Sequence, residues 1–106
     1  MREADLLKLI SGLRRAELRR WVEYGWVVPE RRGGDYWFRE IDVARVRLVG
    51  QIRRDMSVSE DNVATVLSLV DQVYGLRNEL RRLARAVEAQ PEGVRKSIAE
   101  RLHAER

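Results

Sequence analysis

Arg14, Arg15, Arg19 and Arg20 stand within seven consecutive residues, and Arg31 and Arg32 follow as a further pair. Arginine is the working cation of this chain: of 21 basic residues, only Lys8 and Lys96 are lysines. A guanidinium stays ionised and grips carboxylate or phosphate through a fork of N–H donors. These six arginines are therefore candidate nucleic-acid contacts. The first four also fit two other readings. They could meet an acidic protein surface, or form a solvated face paired with Glu17 and Glu23 at helical spacing. The charge is uneven. Residues 1–56 hold 13 basic and 9 acidic side chains, and residues 57–106 hold 8 of each, so the net +4 lies in the first half. Phosphate, if bound, belongs there.

Other chemistries lack their parts. The chain has no cysteine, which removes disulfides, thiolate metal sites and cysteine nucleophiles. Its one histidine, His103, stands near the end. No carboxylates pair at a catalytic spacing, and Gly33-Gly34 reads as a turn rather than a phosphate loop. The expectation is a protein that is not an enzyme and uses no cofactor or metal. No run approaches the roughly 18–20 apolar residues that span a bilayer. The opening MREADLLKLI carries acids in its first turn, unlike a signal peptide, so a cytoplasmic location is expected.

The elements that position these residues follow from spacing. Ala4, Leu6, Leu7 and Ile10 predict a short amphipathic helix over 3–10, broken by Ser11-Gly12. A second helix runs from about Arg14 to Tyr24, with Leu18, Trp21 and Val22 on one face and the arginines around the rest. Gly25 stands where a helix-ending glycine belongs. Trp26–Val28 and Tyr36–Phe38 read as two strands around the turn ERRGGD, a small wing that must lean on helices. A third helix, about Ile41 to Asp55, is apolar around more than half its circumference and is the expected central helix. Arg39, Arg45, Arg47, Arg53 and Arg54 line its exposed remainder.

Ser59 then caps a long helix over about 60–89, with Glu60 and Asp61 in its first turn. Val66, Leu69, Val73, Leu76, Leu80, Leu83 and Val87 follow at gaps of 3, 4, 3, 4, 3 and 4, an unbroken heptad seam. At ~1.5 Å per residue this helix is about 43 Å long. Its seam needs a partner, most simply a second copy. A second stripe, Val63, Leu67, Val70 and Tyr74, is expected to pack onto residues 41–56. After Gln90-Pro91 a last helix over 92–103 carries Val94, Ile98 and Leu102, and is expected to fold back on the coil. The fold class is thus mainly α: a winged helix-turn-helix domain over 1–58, then a dimerisation helix and a C-terminal helix over 59–106.

LRRWVEYGWVVPERR resembles the second helix and first wing strand of the MerR family. GDYWFREIDVARVRLVGQIRRDMSVS resembles its wing closure and third helix. The similarity covers about residues 4–62. Members that bind DNA open the second helix with a serine-threonine pattern and then an arginine followed by two tyrosines. Here Arg14 and Glu17 take the first two places, and Arg20 and Trp21 replace the tyrosine pair. Glu17 puts a carboxylate where phosphate should approach, and phosphate contacts dominate DNA affinity. Across nearly the whole chain, WVVPERRGGDYWFREIDVARVRLV and SLVDQVYGLRNELRRLARAVEAQPEGVR resemble the chaperone-modulator family CbpM, which is MerR-like in fold.

That resemblance implies a partner, the J domain of a CbpA/DnaJ-like co-chaperone, and an action: a homodimer occupies the J-domain surface that DnaK would use. It also implies that the acids matter, because J domains present a basic helix that a negative patch would steer. Glu60, Asp61 and Asp71 near the start of the long helix are candidates, and Asp71 has no capping role to explain it. Glu23, Glu30 and Asp35 near the wing form a second candidate patch. The alternative reading is a MerR-type DNA-binding transcriptional regulator using the six arginines.

Overall fold

The computed structural model describes residues 1–105 and resolves two compact units, Met1–Ser68 and a second from Leu69 onward. In order, the elements are α1 (Glu3–Leu9), α2 (Arg15–Glu23), β1 (Glu30–Arg32), β2 (Asp35–Trp37), α3 (Glu40–Gly50), α4 (Glu60–Glu88) and α5 (Glu92–Ala104). The chain is mainly α with a small antiparallel wing, as its patterning predicts.

The core of the first unit is one cluster. Leu6 comes from α1, Leu18 and Trp21 from α2, Phe38 from the wing exit, Val46 and Val49 from α3, and Val63 and Leu67 from α4. Each is at most 3% exposed. The first two turns of α4 thus belong to this unit, because burying Val63 and Leu67 removes their surface from water. At about 1.5–3 kcal/mol for each fully buried aliphatic side chain, that anchors the helix root. Of the second stripe, Val70 is half-buried and Tyr74 is exposed.

The wing differs from its expected register. Trp26 and Val27 are buried, but as a loop: both backbone N–H groups donate to the carbonyl of Trp21, at 3.0 and 3.4 Å. They close the end of α2 instead of entering a ladder. Val28 is exposed, and the strand begins only after Pro29, which has no N–H to give. β1 and β2 pair Glu30 with Trp37, Arg31 with Tyr36 and Arg32 with Asp35. Phe38 lies past β2, where its N–H donates to the Met1 carbonyl at 2.7 Å while the Met1 nitrogen donates to the Phe38 carbonyl at 2.6 Å. An Arg2–Trp37 bridge completes this short pairing, which protects an otherwise open sheet edge.

The third helix also departs from expectation. Ile41 is 69% exposed rather than part of the core. Gln51–Asp55 is π-helical, with the Met56 N–H donating to the Gln51 carbonyl. The arginines are not a merely solvated row. Arg45 Nε donates to the Trp26 carbonyl at 2.9 Å, Arg53 Nη1 to the Val58 carbonyl at 2.8 Å, and Arg54 reaches Gly12 and Glu17. Each guanidinium satisfies a loop carbonyl that no ladder serves.

Candidate functional site

α2 and the wing carry most of the candidate cations. Arg14, the extended residue before α2, and Arg15, Arg19 and Arg20 are all exposed. Two of them are already engaged, though not by the residues that helical spacing suggested. Glu3 of α1 takes Arg19 in a forked contact, Nε at 3.0 Å and Nη2 at 3.3 Å, and lies 3.8 Å from Arg15 Nε. That hydrogen bond, more than the bare charge of Glu3, raises the Arg19 pKa further above its usual value. Glu17 pairs not with α2 arginines but with Arg54, whose Nη2 donates to Glu17 Oε1 at 2.8 Å. The side chain of Glu17 is only 15% exposed. The carboxylate expected to repel phosphate is therefore half-buried and neutralised, serving as a strut between α2 and the π-helical turn.

On the wing the two arginines leave on opposite faces, as strand alternation requires. Arg31 Nη2 donates to the Tyr36 hydroxyl at 3.2 Å, with its guanidinium 5.1 Å from the ring centroid of that cross-strand partner. Arg32 lies 4.6 Å from the Trp37 ring centroid and donates to Glu30 Oε2 at 3.0 Å. Aromatic faces thus hold both cations in place while leaving them exposed. Between α2 and the wing runs an open groove of about 520 Å³ lined by Arg19, Val22, Glu23, Arg31 and Tyr36. A smaller one, about 210 Å³, brings Arg2 beside Arg15, Glu3, Asp35 and Tyr36.

The wing itself is pinned to α3 by Asp42, which is 5% exposed. Its carboxylate accepts the Arg39 backbone N–H at 2.9 Å and Arg39 Nε at 2.9 Å, and Arg39 Nη2 also donates to the Val28 carbonyl at 3.2 Å. The bond to Asp42 is the main cause of a raised Arg39 pKa.

The acidic candidates divide. Glu60 and Glu23 both act on Tyr24. The Tyr24 hydroxyl is raised above the usual phenol value first by its hydrogen bond to Glu60, then by burial, and also by the charges of Glu60 and Glu23. Its ring stands 4.9 Å from that of Trp26 and remains 49% exposed. Glu30 is committed to Arg32, with Arg39 nearby at 4.0 Å. Asp35 is exposed on the wing, Asp61 in the first turn of α4 and Asp71 farther along that helix.

Along the heptad ridge, Val66 is half-buried against the core of the first unit. Leu69, Val73, Leu76, Leu80 and Leu83 are 47–65% exposed, and Val87 is half-buried. Sequence reasoning missed Glu3, Arg54 and Tyr24. The pairs Glu3–Arg19 and Glu17–Arg54 join residues 16 and 37 positions apart, so no helical spacing could reveal them. Tyr24 did carry a signal, an aromatic residue just before the helix-ending Gly25.

A family model described as MerR HTH family regulatory protein matches residues 5–85. No solved structure matches the chain.

Proposed function

Because this chain belongs to the MerR helix-turn-helix family of regulatory proteins, we propose that it is a homodimeric modulator that occupies the J domain of a CbpA/DnaJ-like co-chaperone. Occupancy alone blocks the J domain's work with DnaK, so no catalytic group is required. The family is one of regulators rather than enzymes. The observation that carries the reading is the Tyr24 ring, 49% exposed and 4.9 Å from that of Trp26, with its hydroxyl raised in pKa by the nearby acids Glu60 and Glu23. Two carboxylates beside an aromatic face suit a basic helix: the charges steer its approach and the ring supplies contact area. The resemblance of nearly the whole chain to the CbpM family points to the same partner. Glu3 works in this direction too, because it ties up two of the three α2 arginines.

Calorimetry with a CbpA-type J domain tests this. A complex at micromolar concentration that weakens in Tyr24→Ala and in Glu60→Gln is expected. No heat at that concentration rejects the reading.

A second reading, DNA binding of MerR type, has its own specific support. Arg54 neutralises Glu17, and Arg19 and Arg31 stand on opposite walls of the α2–wing groove. That groove would straddle a phosphate backbone. It predicts duplex binding whose affinity falls steeply with salt. A gel shift that survives competitor DNA would raise this reading above the first. Binding lost at physiological salt would leave it without function.

A further inference from the structure

The folding back expected of α5 does not occur over the middle of α4: every residue from 71 to 86 is exposed. One side of that stretch differs from the charged surface elsewhere. Arg77, Arg81 and Arg85 follow at intervals of four, which sets them about 6 Å apart along one side of the helix. Tyr74, 59% exposed, stands two turns before Arg81 on the same side. At about 100° per residue, Arg81 lies roughly 100–160° around the helix from Leu76, Leu80 and Leu83. The row and the apolar ridge are therefore separate faces.

In the first unit Arg19, Arg32, Arg39 and Arg54 each hold a carboxylate. On α4, Arg82 does so through Glu79, off the row. Arg81 donates to the Asn78 side chain at 3.3 Å, and among the described residues no hydrogen bond or ion pair engages Arg77 or Arg85. Like charges four residues apart work against the helix that carries them. Arginine and tyrosine together are the residues enriched where proteins meet, whereas lysine is depleted there.

The number of charges selects the occupant. Nucleic-acid binding typically rests on roughly 6–10 phosphate contacts. Here the row ends after three, because Glu88 follows on the same side and repels a phosphate chain that runs on. Carboxylates at i, i+4 and i+8 of a second helix repeat at the same spacing of about 6 Å, and each accepts one arginine fork. We propose that this face of α4 docks an acidic helix of a partner protein, with its carboxylates in register with Arg77, Arg81 and Arg85 and its apolar flank on Tyr74. The face is distinct from Tyr24 and from the α2 arginines, so it stands whether or not a J domain is bound there.

The probe is a synthetic helical peptide with glutamates at i, i+4 and i+8, set against one of the same composition with its glutamates dispersed around the helix. In magnetic resonance of the full-length protein at physiological salt, the Nε–Hε signals of Arg77, Arg81 and Arg85 are expected to move together with the first peptide. Its Kd should be submillimolar and about tenfold tighter than that of the second. Arg77→Ala/Arg81→Ala/Arg85→Ala should abolish the binding and leave the helix content unchanged, since alanine is the best helix former. Equal affinity for the two peptides overturns the proposal, as does silence of these three arginines. A thymidine oligonucleotide that binds this face more tightly at the same salt makes the occupant a nucleic acid and overturns it too.

Discussion

Arg54 Nη2 binds Glu17 at 2.8 Å and, with the same nitrogen, the Gly12 carbonyl at 2.9 Å. One guanidinium thereby ties the π-helical turn after α3 to both the turn and the second helix of the helix-turn-helix. The pair is partly shielded, with 42% and 15% of the two side chains exposed. Removing the cation strands a half-buried carboxylate and a carbonyl together. Arg54→Ala should cost about 1–2 kcal/mol in urea unfolding, the range for hydrogen bonds to charged groups after allowance for solvent. Glu17→Gln, which keeps an acceptor, should cost less. Equal losses in both variants would show that charge, rather than the hydrogen bond, is what matters.

A second prediction concerns Asp42. It accepts two N–H donors of Arg39 at 2.9 Å from a site that is 5% exposed. Asp42→Asn removes the charge that holds Arg39, and Arg39 in turn holds the Val28 carbonyl. A loss of about 2 kcal/mol is expected in denaturant unfolding. Faster amide exchange should appear in β1 and β2 and spare Leu6 and Leu18. Uniform acceleration across the whole unit would contradict a local role for Asp42 in seating the wing.

Alkaline pH should act through Tyr24. Its interaction with Glu60 is the first cause of its raised pKa. A raised value in the folded state means that the fold holds the proton more tightly than the unfolded chain does. The stabilisation is fully present below the ordinary phenol value of about 10 and disappears as pH rises through the folded value. Ultraviolet titration should show one of the three tyrosines ionising last. Tyr24→Phe or Glu60→Gln should remove that late phase. A single phase in the wild-type protein would contradict that interaction.

These relationships also show what could be read along the chain. Helices declare themselves by local period: Leu18, Trp21 and Val22 mark α2, and the three-four alternation from Val66 to Val87 marks α4. The wing turn was legible in ERRGGD, but its first strand was not. Trp26 and Val27 have strand-like side chains and are buried for a different reason, closing the end of α2. Apolarity reports burial and leaves backbone partners unspecified. Ile41 shows the converse, an apolar residue that the helix start leaves in water. Ion pairs between separate elements were invisible because their register depends on the packing. Hence Glu17 read as a barrier to phosphate when Arg54 had already neutralised it.

Two glycines permit a contrast that depends on backbone alone. Gly25 has φ +77°, and a Cβ built there meets nothing within 4 Å. Alanine at this position would suffer conformational strain without any clash, and Gly25→Ala should destabilise by about 1 kcal/mol. Gly75 lies inside α4, where a Cβ also meets open space. There the glycine only adds freedom to the unfolded chain, so Gly75→Ala should stabilise the helix by up to about 1 kcal/mol. Gly75 lies beside the ridge position Leu76 rather than on the ridge, so the gain should appear in thermal unfolding with no change in sedimentation. If Gly75→Ala instead lowers stability or weakens association, the backbone at residue 75 is approached closely by another chain, and the pairing surface is wider than the heptad ridge.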